Sequence, residues 1–207
     1  MAVNPFGKNT ESIYLFPEPK PNNMKKWVVG SFVGAFIVFA WQFASWSFLP
    51  VHDKTSKYTP NQDQIMNSLS TNITEDGMYM LPSAPTKKGQ QDMMKSMEGN
   101  PWASVIYHKS FNGDMTMRMI LGFLVDFFLV ISLIYVLTRG GTPISRRAFA
   151  GGVAIGLFAF LWGDYTGHIW FDLPWHMIMG DLIDSIVAWG LCGLWIGWWL
   201  NRMTKAA

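Results

Sequence analysis

Four runs of apolar residues dominate the pattern of hydrophobic and polar positions along the chain. They occupy residues 27–49, 119–138, 148–164 and 183–200. A helix of about 20 apolar residues is long enough to cross the apolar core of a bilayer, which is roughly 30 Å thick. The first run carries no charged residue, and the second is interrupted by Asp126 alone. The pattern therefore predicts an all-α membrane protein with four transmembrane helices.

Segment 50–118, between the first two runs, has shorter patterns that predict a small α+β extracytoplasmic insertion. We expect a helix that begins with a capping box at Thr59–Gln62, because Pro60 suits the first helical position. A strand is expected at Met78–Leu81, a second helix around Met93–Met97, and a second strand at Trp102–Tyr107. About sixty residues is close to the lower limit for a domain that folds alone.

Two further segments complete the predicted organisation. Residues 1–26 form a proline-containing tail, in which Tyr14, Leu15 and Phe16 precede alternating prolines and could dock onto a partner. Residues 165–182 form a connection rich in His, Asp and Trp between the third and fourth transmembrane helices, and we place it at the outer interface of the membrane.

Basic residues near the ends of the runs predict the orientation of the chain. With four spans, both termini lie on the side that holds nine Lys and Arg residues in short flanking segments. Because short cytoplasmic segments are enriched in Lys and Arg, we expect both termini to be cytoplasmic. The expected location is the plasma (inner) membrane of a bacterium. The nine residues are Lys8, Lys20, Lys25, Lys26, Arg139, Arg146, Arg147, Arg202 and Lys205.

Composition excludes several classes of protein. Of 207 residues, 50% are hydrophobic and only 14% are charged, which argues against a disordered chain or an ordinary soluble domain. A net charge of +2 gives no basic face for nucleic acid. The single cysteine, Cys192, excludes an intramolecular disulfide and a cysteine-based zinc site. The sequence has no nucleophile elbow and no phosphate-binding glycine loop, so catalysis is not expected, although an enzyme is not excluded.

The connection before the fourth run holds the first candidate site. His and Asp residues recur there at i, i+4 spacing, and imidazole with carboxylate suits zinc, iron or manganese. One hypothesis is therefore a metal or haem site, and the other is that these polar groups cap helices at the interface. Asp181 or Asp184 would then stabilise the N-terminus of the fourth helix. The candidate ligands are His168, His176, Asp164, Asp172, Asp181 and Asp184.

Asp126 is the second candidate site, because a carboxyl group inside a membrane helix is costly and faces the bundle rather than lipid. It could carry a proton or a small solute, or form an interhelical hydrogen bond with Gln42, Ser45 or a partner subunit. No cofactor is assigned from these residues.

Pairs of glycine at small-xxx-small spacing predict close helix packing. The pairs are Gly30 and Gly34, Gly152 and Gly156, and Gly193 and Gly197.

The resulting functional hypothesis is a non-catalytic accessory or assembly subunit of a larger membrane complex. Its expected partners are the lipid bilayer and other membrane-protein subunits, and not nucleic acid. Two alternatives stay open: a metal- or haem-binding membrane protein, and a small proton or solute carrier that uses Asp126.

Overall fold

The computed structural model describes residues 21–140 and 145–205, so the first twenty residues of the predicted tail lie outside it. The chain divides into two compact units, one formed before Lys57 and after Met117, and the other from Lys57 to Met117. The elements are α1 Pro21–Ser47, α2 Gln62–Asn72, β1 Gly77–Leu81, α3 Lys87–Ser96, β2 Ala103–Tyr107, α4 Thr116–Leu137, a 3₁₀ turn at Thr138–Gly140, α5 Ser145–Phe160, a π-helical turn at Leu161–Tyr165, α6 Thr166–Phe171 and α7 Trp175–Lys205.

Four helical segments of the first unit are long and apolar enough to cross a membrane, which is consistent with a transmembrane protein. Among the described residues they are Met24–Ser47, Thr116–Leu137, Ser145–Phe171 and Trp175–Met203. We call the end of this bundle that includes the start of α1 and the end of α7 the terminal end, and the opposite end the insertion end.

The third and fourth helical segments are longer than the apolar runs predicted. The chain stays helical from Ser145 to Phe171 and resumes at Trp175, so most of the predicted connection 165–182 is helix. Asp172 ends α6 in a left-handed conformation, with φ of 50°. Pro174 then directly precedes α7, a placement that proline tolerates because the first helical amides have no intrahelical acceptor. The short break therefore comes from local backbone chemistry that hydropathy does not report.

The core of the bundle lies where α1, α4 and α7 meet. Val38, Leu133 and Ile196 are almost fully buried there, and the Cys192 thiol is buried beside them. On α4, Phe123 makes edge contacts with the rings of Phe32 and Phe39 on α1. Apolar side chains that face outward from these helices are exposed in the isolated chain, as expected for surfaces that contact lipid.

Glycines bring the backbones of α5 and α7 together. A Cβ at Gly152 would collide with the carbonyl oxygen of Trp189, and a Cβ at Gly156 with that of Ser185. From the opposite helix, a Cβ at Gly193 would collide with the carbonyl oxygen of Ala148. The spacing of small residues on both helices therefore makes room for backbone contact. Gly34 on α1 makes room for the side chain of Val130 on α4, because a Cβ at position 34 would lie 2.8 Å from Cγ1 of Val130.

The second unit has the helix–strand–helix–strand order that the sequence predicts. β1 and β2 pair in antiparallel register, with Tyr79 opposite Val105. At the start of α3, Thr86 Oγ1 accepts a hydrogen bond from the Gly89 amide at 3.1 Å. The expected capping box of α2 is not formed, since Asn61 is the N-cap and makes no side-chain capping bond.

Asp76 joins the start of β1 to the residues that follow β2. It accepts hydrogen bonds from the backbone amide of Lys109 at 3.1 Å and from His108 Nδ1 at 3.2 Å. These bonds, the amide first and the histidine second, favour the ionised carboxylate and lower the pKa of Asp76 below its ordinary value.

Candidate functional site

The most densely connected polar group in the described bundle is the carboxylate of Asp184. Its Oδ1 accepts hydrogen bonds from Ser45 Oγ at 2.6 Å and from Trp41 Nε1 at 3.0 Å. Its Oδ2 lies 3.0 Å from Nε2 of His52. We call these four residues the Asp184 cluster. Ser45, His52 and Asp184 are buried, so the carboxyl group and its hydrogen-bond partners are largely removed from solvent.

Three parts of the chain bring the Asp184 cluster together at the insertion end. Trp41 and Ser45 are one turn apart on α1 and therefore share a face. His52 lies in the loop that follows α1, and Asp184 lies in the third turn of α7. The cluster thus joins α1, the loop and α7 across more than a hundred residues of sequence.

The ring of His52 is held on both sides. The indole of Trp46 stacks on it with ring centroids 3.8 Å apart and an interplanar angle of 9°. On the α7 side, a Cβ at Gly180 would lie 2.6 Å from both Cε1 and Nδ1 of the imidazole. Glycine at this position therefore gives the ring its place against the helix.

The geometry of the Asp184 cluster suits a structural fastening better than nucleophilic catalysis. A serine nucleophile needs its general base within hydrogen-bond reach, with the acid orienting the base from the far side. Here Ser45 and His52 both bond to the carboxylate, and the described hydrogen bonds include none between them. His52 Nδ1 and Thr55 Oγ1 are buried without a hydrogen-bond partner, so the loop also holds polar groups that its own contacts do not satisfy.

Asp126 occupies a separate buried position between α4 and α1. It is 4% exposed, and the side chain of Gln42 hydrogen-bonds to it. Its Oδ2 has no hydrogen-bond partner. Of the two intramolecular partners predicted for Asp126, Gln42 is therefore present, whereas Ser45 donates to Asp184 instead.

The six predicted metal ligands do not gather at one point. Asp181 is close enough to Asp164 and Asp184 for their charges to interact. His168 instead donates from Nδ1 to the carbonyl oxygen of Leu173, and its ring lies 4.7 Å from that of Trp175. Asp172 is exposed where α6 ends, and His176 lies in the first turn of α7. Over residues 21–140 and 145–205, no three His, Cys, Asp or Glu side chains are placed to hold a metal ion.

The predicted part of His168 in a metal or haem site stays a prediction. Its Nδ1 donates to Leu173, so Nε2 is the ring nitrogen with which a neutral His168 would bind a metal or haem iron.

The π-helical turn explains why i, i+4 spacing misled the sequence argument. Asp164 lies inside Leu161–Tyr165, where hydrogen bonds run from residue i to i+5 and the side chains advance around the axis differently from those of an α-helix. The predicted role of Asp181 or Asp184 at the start of the fourth helix is also wrong. Since α7 begins at Trp175, these residues lie in its second and third turns.

Sequence reasoning missed His52 and Trp41 as members of a polar cluster. The available signal was weak: Trp41 and Ser45 at i, i+4, with a histidine five residues after α1 ends. Their common partner is 132 residues away from His52, and no local pattern identifies it.

Comparison of the chain with models of known protein families, with curated proteins and with solved structures found no match. Function must therefore be argued from these contacts and surfaces alone.

Proposed function

We propose that this chain is a non-catalytic, membrane-anchored subunit of a larger membrane complex. The observation that supports this most is the apolar outer face of the antiparallel strands β1 and β2 in residues 57–117. We call this strand pair the hairpin, although α3 connects its two strands. We call Met78, Met80 and Ile106 the hairpin face.

The hairpin face is uncovered in the isolated chain. Met78 and Ile106 are opposite each other in the register and are 58% and 71% exposed. On the other side of the sheet Tyr107 is buried, and Tyr79 and Val105 are half-buried. An apolar sheet face that remains in water is unfavourable, and a contiguous patch of this kind marks an interaction surface.

The second unit has little core of its own with which to offset that exposure. Neither α2 nor α3 contains a buried residue. Ile73 and Tyr107 are its buried hydrophobic side chains among the described residues. A unit of this size with such a core gains much of its stability from whatever covers it.

The occupant that fits is an extramembrane part of another integral membrane protein. Both ends of the unit continue into helices long and apolar enough to span a membrane, so its partner must be present at the membrane surface. Methionine side chains are flexible and polarizable, and they pack well against irregular protein surfaces. The proposal includes the orientation expected from the basic residues, with the hairpin outside and both termini in the cytoplasm.

A photocrosslinking amino acid at Ile106 should capture this partner in native membranes. We expect one heavier product that contains a different integral membrane protein, and no such product with the same group at Lys88, an exposed position in α3. Met78→Asp should remove the product, because a charge opposite position 106 opposes burial of the face. A product that contains only this chain, or equal products from both positions, would contradict the proposal.

The other two hypotheses have narrower support. Carriage of a proton or solute rests on the buried Oδ2 of Asp126, which has no partner. Metal or haem binding rests on Nε2 of His168, the ring nitrogen that is not bonded to Leu173. In the described part of the chain, no three His, Cys, Asp or Glu side chains are placed to complete a ligand set that includes His168.

A further inference from the structure

The terminal end of the bundle concentrates positive charge. Every helix end there carries a basic residue, namely Lys25 and Lys26 on α1, Arg139 after α4, Arg146 on α5 and Arg202 on α7. Within the described residues, the segments that form this end contain no Asp or Glu; they are 21–31, 132–140, 145–150 and 198–205. These described segments therefore supply no carboxylate of their own to Lys26 or Arg202.

Hydrogen bonds fix the basic start of α1 against the end of α7. Lys26 Nζ donates to the carbonyl oxygen of Met203 at 3.3 Å. Trp199 Nε1 donates to the carbonyl oxygen of Lys26 at 2.9 Å. Because both acceptors are neutral carbonyls, these bonds hold the Lys26 ammonium group at the backbone of Met203, the residue after Arg202, without cancelling its charge.

Aromatic rings hold two guanidinium groups at the same end. Arg202 lies over the ring of Trp198 at 5.3 Å, and Arg139 lies over that of Tyr135 at 3.9 Å. Trp27, next to Lys26, makes an edge contact with Tyr135 at 6.1 Å. Indole and phenol rings favour the level of the lipid headgroups, so cations held against them would lie where lipid phosphates are.

We infer that Lys26 and Arg202 form a binding site for the phosphate of an anionic phospholipid, at the junction of α1 and α7. The inference rests on the bundle crossing a bilayer but not on the proposed partner protein. A guanidinium can bond two phosphate oxygens at once, and the Lys26 ammonium, held at the carbonyl oxygen of Met203, supplies a second positive charge at the same end of α7. Zwitterionic lipids carry their own cation next to the phosphate and should bind less well.

The test uses the full chain purified in a neutral detergent. It is titrated with phosphatidylglycerol or phosphatidylcholine of the same acyl chains, and bound lipid is counted by native mass spectrometry. We expect phosphatidylglycerol to bind more tightly, with an affinity that falls as salt rises. Lys26→Gln with Arg202→Gln should weaken phosphatidylglycerol binding at least roughly tenfold, since each cation near an anionic headgroup contributes about fivefold.

Matched variants separate a site from a general effect of charge. Lys57→Gln with Lys88→Gln removes the same charge from the second unit and should leave lipid binding unchanged. Lys26→Arg with Arg202→Lys keeps both charges and should retain the preference. If the double glutamine variant does not fold, Arg202→Gln alone replaces it in the test. Arg202 is exposed, so this single substitution should not disturb the fold.

Three results would overturn the inference. They are equal affinity for the two lipids, equal weakening by the control pair, and displacement of the lipid by an equal concentration of inorganic phosphate. The last would indicate a site for free phosphate rather than for a lipid.

Discussion

Replacing Gly156 with alanine should destabilise the bundle by about 1–3 kcal/mol, as expected for overpacking of a close-packed contact. The added methyl group would meet the carbonyl oxygen of Ser185, which is backbone and has no rotamer that could move it aside. It would also lie 3.1 Å from Cδ1 of Trp189. The α5 and α7 axes must therefore separate, and the other close glycine contacts between them would loosen.

The matched control is Gly163→Ala. Gly163 is also helical, but a Cβ there would meet nothing within 4 Å. This change should be neutral or slightly stabilising, because alanine favours helix over glycine by roughly 0.5–1 kcal/mol. Unfolding of the purified variants in increasing fractions of a denaturing detergent would compare them. Equal stability of the two variants would show that the backbones of α5 and α7 are not in contact at Gly156.

Asp184→Asn should cost about 1–3 kcal/mol, the scale seen when buried donors lose their acceptor. The two carboxylate oxygens bond to Trp41, Ser45 and His52. An asparagine amide has only one oxygen that can accept a hydrogen bond, and its NH₂ group would face the donors that the second oxygen now accepts from. The loop at His52 should detach from α7. Loss of the near-ultraviolet circular dichroism that arises from Trp41 and Trp46 would report that change.

Asp126→Asn is the comparison for this variant, because it makes the same chemical change at another buried acid. Asp126 is contacted by Gln42, and its Oδ2 has no partner that the amide would displace. We expect its stability to stay within about 1 kcal/mol of that of the unsubstituted chain, since no network of donors is lost. Similar losses in both variants would mean that the donors around Asp184 contribute nothing particular to the fold.

Hydropathy predicted the four long helices because each apolar run is a local property of about twenty consecutive residues. The short elements of the insertion followed in the same way from turn residues and periodicity, and β1 and β2 are present at Gly77–Leu81 and Ala103–Tyr107. Boundaries were less accurate where polar residues lie inside helix. The first two turns of α7, which include His176 and Asp181, were assigned to a connection for that reason.

The Asp184 cluster was not predictable in the same way. Whether Asp184 caps α7 or accepts hydrogen bonds in its third turn depends on where the helix begins. The left-handed Asp172 and Pro174 set that start at Trp175. Its partners come from α1 and the following loop, and only the packing of α1 on α7 brings them within reach. Spacing along one helix carries no information on such a contact, and the π-helical turn at Leu161–Tyr165 disrupts even the local spacing.

We propose that the four helices cross a bilayer and place residues 57–117, the hairpin unit, on the opposite side from the end of α7. The single native cysteine, Cys192, is fully buried, so the unsubstituted chain should react little with a membrane-impermeant maleimide. Lys88→Cys introduces an exposed thiol in the hairpin unit, and Lys205→Cys introduces one at the end of α7. On intact cells, the Lys88→Cys variant should be labelled at once and the Lys205→Cys variant only after the membrane is permeabilised. Labelling of both variants from the same side would contradict the account.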